Sequence, residues 1–250
     1  MKEKENKEKI KMVIKEIGTK YGTQKVFSDF VICASYAFAN AAYYNQDRED
    51  RFNNIIKEYD IDIKDIFAKM LANLYESYAN EECIDVLGEI YEELNLSNKT
   101  NGQFFTPMHI CKLISDITLD QKSIENDIKN KGYFTISDPA CGSGRLLYSS
   151  FEILKKNKIP NNQLLIIGDD VDLLCCCMTY VGLTLMGANA IINHKDTLLN
   201  KTYDTFYTIN YVANKELQNK IITDCKKEEM EIMGWNIYLE IYLKMGMKHM

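Results

Sequence analysis

Residues 135–145 read TISDPACGSGR. An acid, Asp138, ends a β-like apolar run, glycines follow at 142 and 144, and a helical pattern opens at Arg145. Glycines between a strand and a helix let the backbone approach a ligand and permit positive φ. The spacing is not the Gly-x-Gly-x-x-Gly of a dinucleotide site, and an acid at the strand end suits a cationic or hydroxyl-rich ligand better than a pyrophosphate. A second apolar run, LLIIG, ends in Asp169-Asp170. A carboxylate at such a tip can accept both hydroxyls of a ribose. A third run, AIIN, leads to Asp196, which could accept from an adenine amino group. Together the acids outline a site for an adenosine with a cationic tail, a description that S-adenosylmethionine fits. The plain alternative for the same residues is a βα turn with solvated carboxylates or helix N-caps. A fourth run ends at Asn210 in TINYVAN, where an asparagine is either a turn former or a catalytic amide.

The elements that must hold these residues change rhythm along the chain. Residues 1–97 contain no proline and few glycines and read as helical, with apolar stretches at 27–44, 55–80 and 83–94. Their Tyr and Phe stripes are packing surfaces rather than a cofactor box. The charged first nine residues are expected to fray into solvent. LSNKTNGQFFTP breaks the pattern, and Pro107 starts a helix over 109–118. A polar connector or short helix follows over 121–132. Strands are then expected at 133–137, 164–168, 190–193 and 206–209, with helices at 145–157 and 173–187. This alternation implies an α/β fold with a parallel, doubly wound sheet. The tail from 214 reads helical, so the chain divides into 1–97, 98–213 and 214–250.

Composition narrows the function classes. The 250 residues carry a formal charge of −6, which disfavours general polyanion coating but allows a local basic groove. No apolar stretch reaches membrane-spanning length, and MKEKENKEKIK has no apolar run behind it, so a cytoplasmic protein without a secretory leader is expected. The eight cysteines form no Cys-x-x-Cys pair and only three histidines accompany them, so no metal site is expected and the thiols read as buried and reduced.

DVLGEIYEELNLSNKTNGQFFTP, DPACGSGRLL, GDDVD and KDTL, in that order, resemble the adenine-N6 DNA methyltransferases, and among them the modification subunits of type I restriction systems. The resemblance covers about residues 83–213. It implies a Rossmann-like class I methyltransferase sheet, here short, behind a helical N-terminal region. By resemblance, Phe105, Thr106 and Pro107 pack over the methionine end of S-adenosyl-L-methionine. Asp138, Ala140, Gly142 and Gly144 of the glycine loop face its amino acid portion, Asp170 holds the ribose and Asp196 contacts the adenine. The family ends its fourth strand with Asn-Pro-Pro and an aromatic, whose amide and first carbonyl accept the hydrogens of a flipped adenine. Here Asn210 keeps the amide, Tyr211 offers the carbonyl, and the prolines and the stacking ring are replaced. The implied partners are DNA and a separate sequence-recognition subunit; self-association stays open. Three classes therefore compete: a DNA methyltransferase, a cofactor-binding regulatory module that no longer transfers, and an interaction protein built on an inherited scaffold.

Overall fold

The computed structural model describes residues 2–79, 85–96 and 105–227. Five helices come first: α1 (Lys2–Tyr21), α2 (Thr23–Ala42), α3 (Gln46–Lys57), α4 (Ile63–Tyr78) and α5 (Val86–Glu93). Three of them start on a side-chain cap. Asn45, Asp62 and Asp85 each accept a backbone N–H three residues on, satisfying a donor the helix itself cannot. α2 buries Phe27, Phe30 and Val31 at helical spacing and packs against α1, α3 and α4. The expected fraying of the first nine residues is not seen. α1 begins at Lys2, and Asn6 is buried with its amide donating to Glu76, because α4 covers this turn.

α6 (Met108–Thr118) and α7 (Gln121–Lys131) lead into a four-stranded sheet of order β1-β2-β3-β4. β1 (Phe134–Asp138), β2 (Leu164–Asp170) and β3 (Ala190–Asp196) are parallel, joined through α8 (Arg145–Lys156) and α9 (Leu173–Leu185). Leu164, Ile166, Ala190 and Ile192 share one buried cluster with Leu147, Phe151 and Cys176 of these two helices. The opposite face carries Leu165, Ile191 and Tyr207 in a second cluster, closed by Tyr211 of α10 (Ile209–Ala213) and by Leu217 and Ile221 of α11 (Lys215–Lys227). Period-two alternation along β2 thus feeds two cores, one on each face. α2 docks on α9, where the Ser35 hydroxyl donates to the Cys177 carbonyl at 3.3 Å.

The parallel, doubly wound expectation needs correction at the fourth strand. β4 (Lys201–Tyr207) pairs antiparallel with β3, Ile191 opposite Tyr207 and Asp196 opposite Lys201. Four residues join the two strands. A parallel partner needs a crossover of a dozen residues or more, so so short a link can only make a hairpin. The described strand order also never reverses, as a doubly wound sheet requires. The strand starts at 201 rather than 206, and the stretch after it is helical. Among the described residues no helix is long and apolar enough to cross a membrane.

Candidate functional site

The glycine turn sits at the carboxyl ends of the parallel strands. Asp138 closes β1 by accepting the Ala140 N–H at 3.0 Å. The Cys141 N–H donates to the Asp169 carbonyl at 2.9 Å, and the Gly142 N–H to the Asp170 carboxylate at 2.8 Å, so β2 supports the turn twice. Gly142 (φ +56°) and Gly144 (φ +98°) lie in the left-handed region. A Cβ at Gly144 would stand 2.7 Å from the Tyr148 ring, which α8 folds back beneath the turn. Thr179 of α9 pins the Gly142 carbonyl at 2.8 Å. A short, braced, left-handed turn is what lets backbone face a ligand without a side chain in the way.

The strand-end acids divide by partner. Asp169 pairs with Lys195 at 3.4 Å and accepts a hydrogen bond from the Asn193 amide at 2.7 Å. Among the described residues Asp170 meets no cation: its two oxygens accept the N–H groups of Gly142 and Asp172. Burial raises its pKa above the usual carboxylate range, with the two N–H groups pulling the other way. Each Asp170 oxygen retains a lone pair for a further donor. Asp196 caps the hairpin by accepting the Leu199 N–H at 2.9 Å, and Thr197 ties that hairpin to the glycine loop by donating to the Pro139 carbonyl at 2.8 Å.

Phe105, Thr106, Asp138, Ala140, Gly142 and Arg145 line one cavity of about 270 Å³. Sequence reasoning placed five of these six together. Pro107 stands beside them as the residue before α6, and Gly144 lies behind the turn as the residue before α8. Gly102, Gln103 and Phe104 of GQFFTP lie outside the described residues. Asp138 brings a carboxylate to the lining of this cavity, whereas Asp170 and Asp196 are not among its lining residues. A Cβ on Gly142 would close to 3.3 Å on the Phe105 ring, so only glycine leaves that gap open.

A buried polar group beneath the cavity escaped the sequence reading. Asp85, fully buried, accepts from Arg145 Nε at 2.7 Å, from the Ser143 hydroxyl and from the Gly88 N–H at 2.8 Å. Glu92 takes the other edge of the guanidinium at 2.7 and 3.2 Å. Burial lifts the Asp85 pKa to about 6, against the pull of Arg145, Ser143 and the Gly88 N–H. The available signal was an acid immediately before an apolar helix, with a second acid seven residues on and so on the same helical face.

Asn210 and Tyr211 are not brought to this cavity. Because β4 runs back along β3, both stand at the amino-terminal end of the parallel strands. The seven residues of β3 separate that end from Asp196, about 20 Å at strand rise. The Asn210 amide donates to the Gly187 carbonyl at 2.6 Å. Tyr211 is buried, its ring stacked on Tyr207 at 5.9 Å, inside an α10 capped by Thr208.

The chain thus presents an open α/β sheet with a braced glycine turn and acids at its strand tips. The sequence signature of the N-6 DNA methylase family matches residues 82–231, and the chain belongs to that family. It is 34% identical over 130 residues to the type I restriction enzyme MjaIX methylase subunit of Methanocaldococcus jannaschii, covering 48% of this chain and 21% of that protein. It is 30% identical over 132 residues to the type I restriction enzyme MpnII methylase subunit of Mycoplasma pneumoniae, covering 50% and 22%. The matched region thus spans about a fifth of the length of these curated relatives. A class I S-adenosylmethionine-dependent methyltransferase of known structure from Listeria monocytogenes aligns over 72% of this chain and 56% of that one, at 21% identity and a TM-score of 0.35.

Proposed function

We propose that this chain binds S-adenosylmethionine in the cavity beside Gly142 and serves methyl transfer to N6 of adenine in DNA, in the cytoplasm, with a separate subunit reading the DNA sequence. The observation that carries the reading is the convergence of Phe105, Thr106, Asp138, Ala140 and Gly142 on one cavity. When bound, the cofactor supplies a methyl group already activated on a sulfonium. Asp138 would hold its ammonium group, and the free lone pairs of Asp170 its ribose hydroxyls. The Phe105 face offers the negative quadrupole that attracts a cation. Asp196 would reach the adenine ring.

A second reading, binding without transfer, is favoured by one observation: the Asn210 amide is engaged by Gly187 at the other end of the sheet. The two separate in a single assay. The full chain is incubated with methyl-labelled S-adenosylmethionine and unmethylated DNA, the DNA is digested, and nucleosides are identified. Label in N6-methyladenosine supports transfer. Cofactor bound in the same tube without label means a missing recognition subunit or a site that does not transfer, and the second reading then moves ahead; no binding rejects both.

A further inference from the structure

Arg145 is 8% exposed, and two segments converge on its guanidinium. Asp85 and Glu92, from the two ends of one face of α5, take Nε and the terminal nitrogens. On the other side a terminal nitrogen donates to the Thr106 carbonyl at 3.4 Å, and the guanidinium carbon lies 5.4 Å from the centre of the Phe105 ring. Tyr91 of α5 braces the same ring at 5.6 Å. Phe105 in turn borders the gap at Gly142. α5 is fastened to α1, where Lys7 bridges Glu89 and Glu93 at 2.8 Å each. A continuous set of contacts therefore runs from the N-terminal helices to the ring over the glycine turn.

Such an arrangement is a poor choice for adhesion alone. Taking a guanidinium and a carboxylate out of water offsets most of their attraction, and apolar side chains of similar volume hold two elements together at least as well. What a planar, multiply bonded guanidinium adds is direction: it fixes a carbonyl and a ring face at once.

We propose that Arg145 is a positioning residue of the cofactor pocket: seated on Asp85 and Glu92, it anchors the Thr106 carbonyl and holds the Phe105 ring against the gap at Gly142, so that docking of the helical region sets the affinity for S-adenosylmethionine. This rests on the reading of the cavity as an S-adenosylmethionine site. Arg145 acts through Phe105, so its contribution and that of the ring are one contribution.

The test is a double-variant cycle on the full chain, read by calorimetric titration with S-adenosylmethionine, with thermal unfolding followed alongside. Arg145→Met and Phe105→Ala are each expected to weaken binding about tenfold, and the double variant by about the same tenfold. Glu92 has a side chain 42% exposed, so Glu92→Gln keeps the fold and is expected to weaken binding about threefold. If Arg145→Met does not fold, the cycle between Glu92→Gln and Phe105→Ala decides by the same criterion of non-additivity. Losses that multiply in the double variant, or unchanged affinity in Arg145→Met and Glu92→Gln, overturn the positioning role and leave the cofactor site standing. A wild-type chain that binds no S-adenosylmethionine overturns both.

Discussion

The side-chain amide of Asn210 donates to the carbonyl of Gly187 at 2.6 Å, one strand length from the glycine turn that holds Gly142. Gly187 itself adopts φ +72°, closing the turn after α9. The contact therefore ties α10 to the loop before β3, a structural task at the far end of the sheet from the acids.

Asn210→Ala accordingly leaves S-adenosylmethionine affinity within twofold of wild type. The lost bond is exposed, so unfolding free energy falls by about 1 kcal/mol or less. Calorimetric titration and urea unfolding read the two quantities. A tenfold loss of affinity would place Asn210 beside the cofactor and contradict the antiparallel β4.

The two glycines of the turn fail differently when given a side chain. Both carry positive φ, which an alanine adopts at a cost of about 1 kcal/mol. At Gly142 the new Cβ enters the gap beneath Phe105, so Gly142→Ala mainly destroys cofactor binding. At Gly144 it meets the buried Tyr148 ring at 2.7 Å, so Gly144→Ala destabilises the fold by about 2–3 kcal/mol in addition. Equal losses of stability in the two variants would show that the gap at Gly142 is ordinary packing space.

Much of this fold was legible from local pattern. The helices expected at 109–118, 145–157 and 173–187 lie within two residues of those bounds, while the 55–80 stretch is split between α3, which starts at Gln46, and α4; β1, β2 and β3 lie where apolar runs meet Asp138, Asp170 and Asp196. The glycine turn was legible because its chemistry is local: a strand, two positive-φ positions and a helix within eleven residues. What was hidden depends on distance in the chain. Nothing near Arg145 announces Asp85, sixty residues away. The direction of β4 depended on seeing that KTYDT joins FY in one strand, which shortens the link after Asp196 below crossover length. Once the strand turns back, Asn210 is carried to the wrong end of the sheet for the role its type suggested.

Arg48 provides the contrast to Arg145. It is 5% exposed on α3 and donates to the Asp204 carboxylate at 2.9 Å and the Thr205 carbonyl at 2.6 Å, holding β4 against the helical region. Arg48→Met leaves the Asp204 side chain, 25% exposed, with access to water. A loss of about 2 kcal/mol in stability is expected, below the range for a fully buried pair. Cofactor affinity should not change, because no contact from Arg48 reaches the glycine turn. A parallel loss of affinity would mean that β4 and the cavity are coupled through the sheet.

Asp85 should write its burial into the pH dependence of stability. Its pKa in the folded chain is raised from the ordinary 3.8 to about 6, with burial as the leading cause. The folded chain therefore holds this proton more tightly than the unfolded chain does. The resulting stabilisation is fully present below about pH 4 and is lost as pH rises through about 6. A shift of this size corresponds to roughly 3 kcal/mol for a fully buried group. The groups facing Asp85 are Arg145 of α8, Ser143 of the glycine turn and the Gly88 N–H of α5, with Tyr148 of α8 close by. Asp85→Asn removes the titrating group while keeping its shape, so the difference in unfolding free energy between wild type and variant isolates this one proton. Between pH 7 and pH 5 that difference is expected to move in favour of wild type. A difference that stays flat over this range, or moves against wild type, would mean that Arg145 and Ser143 outweigh burial and keep Asp85 charged throughout.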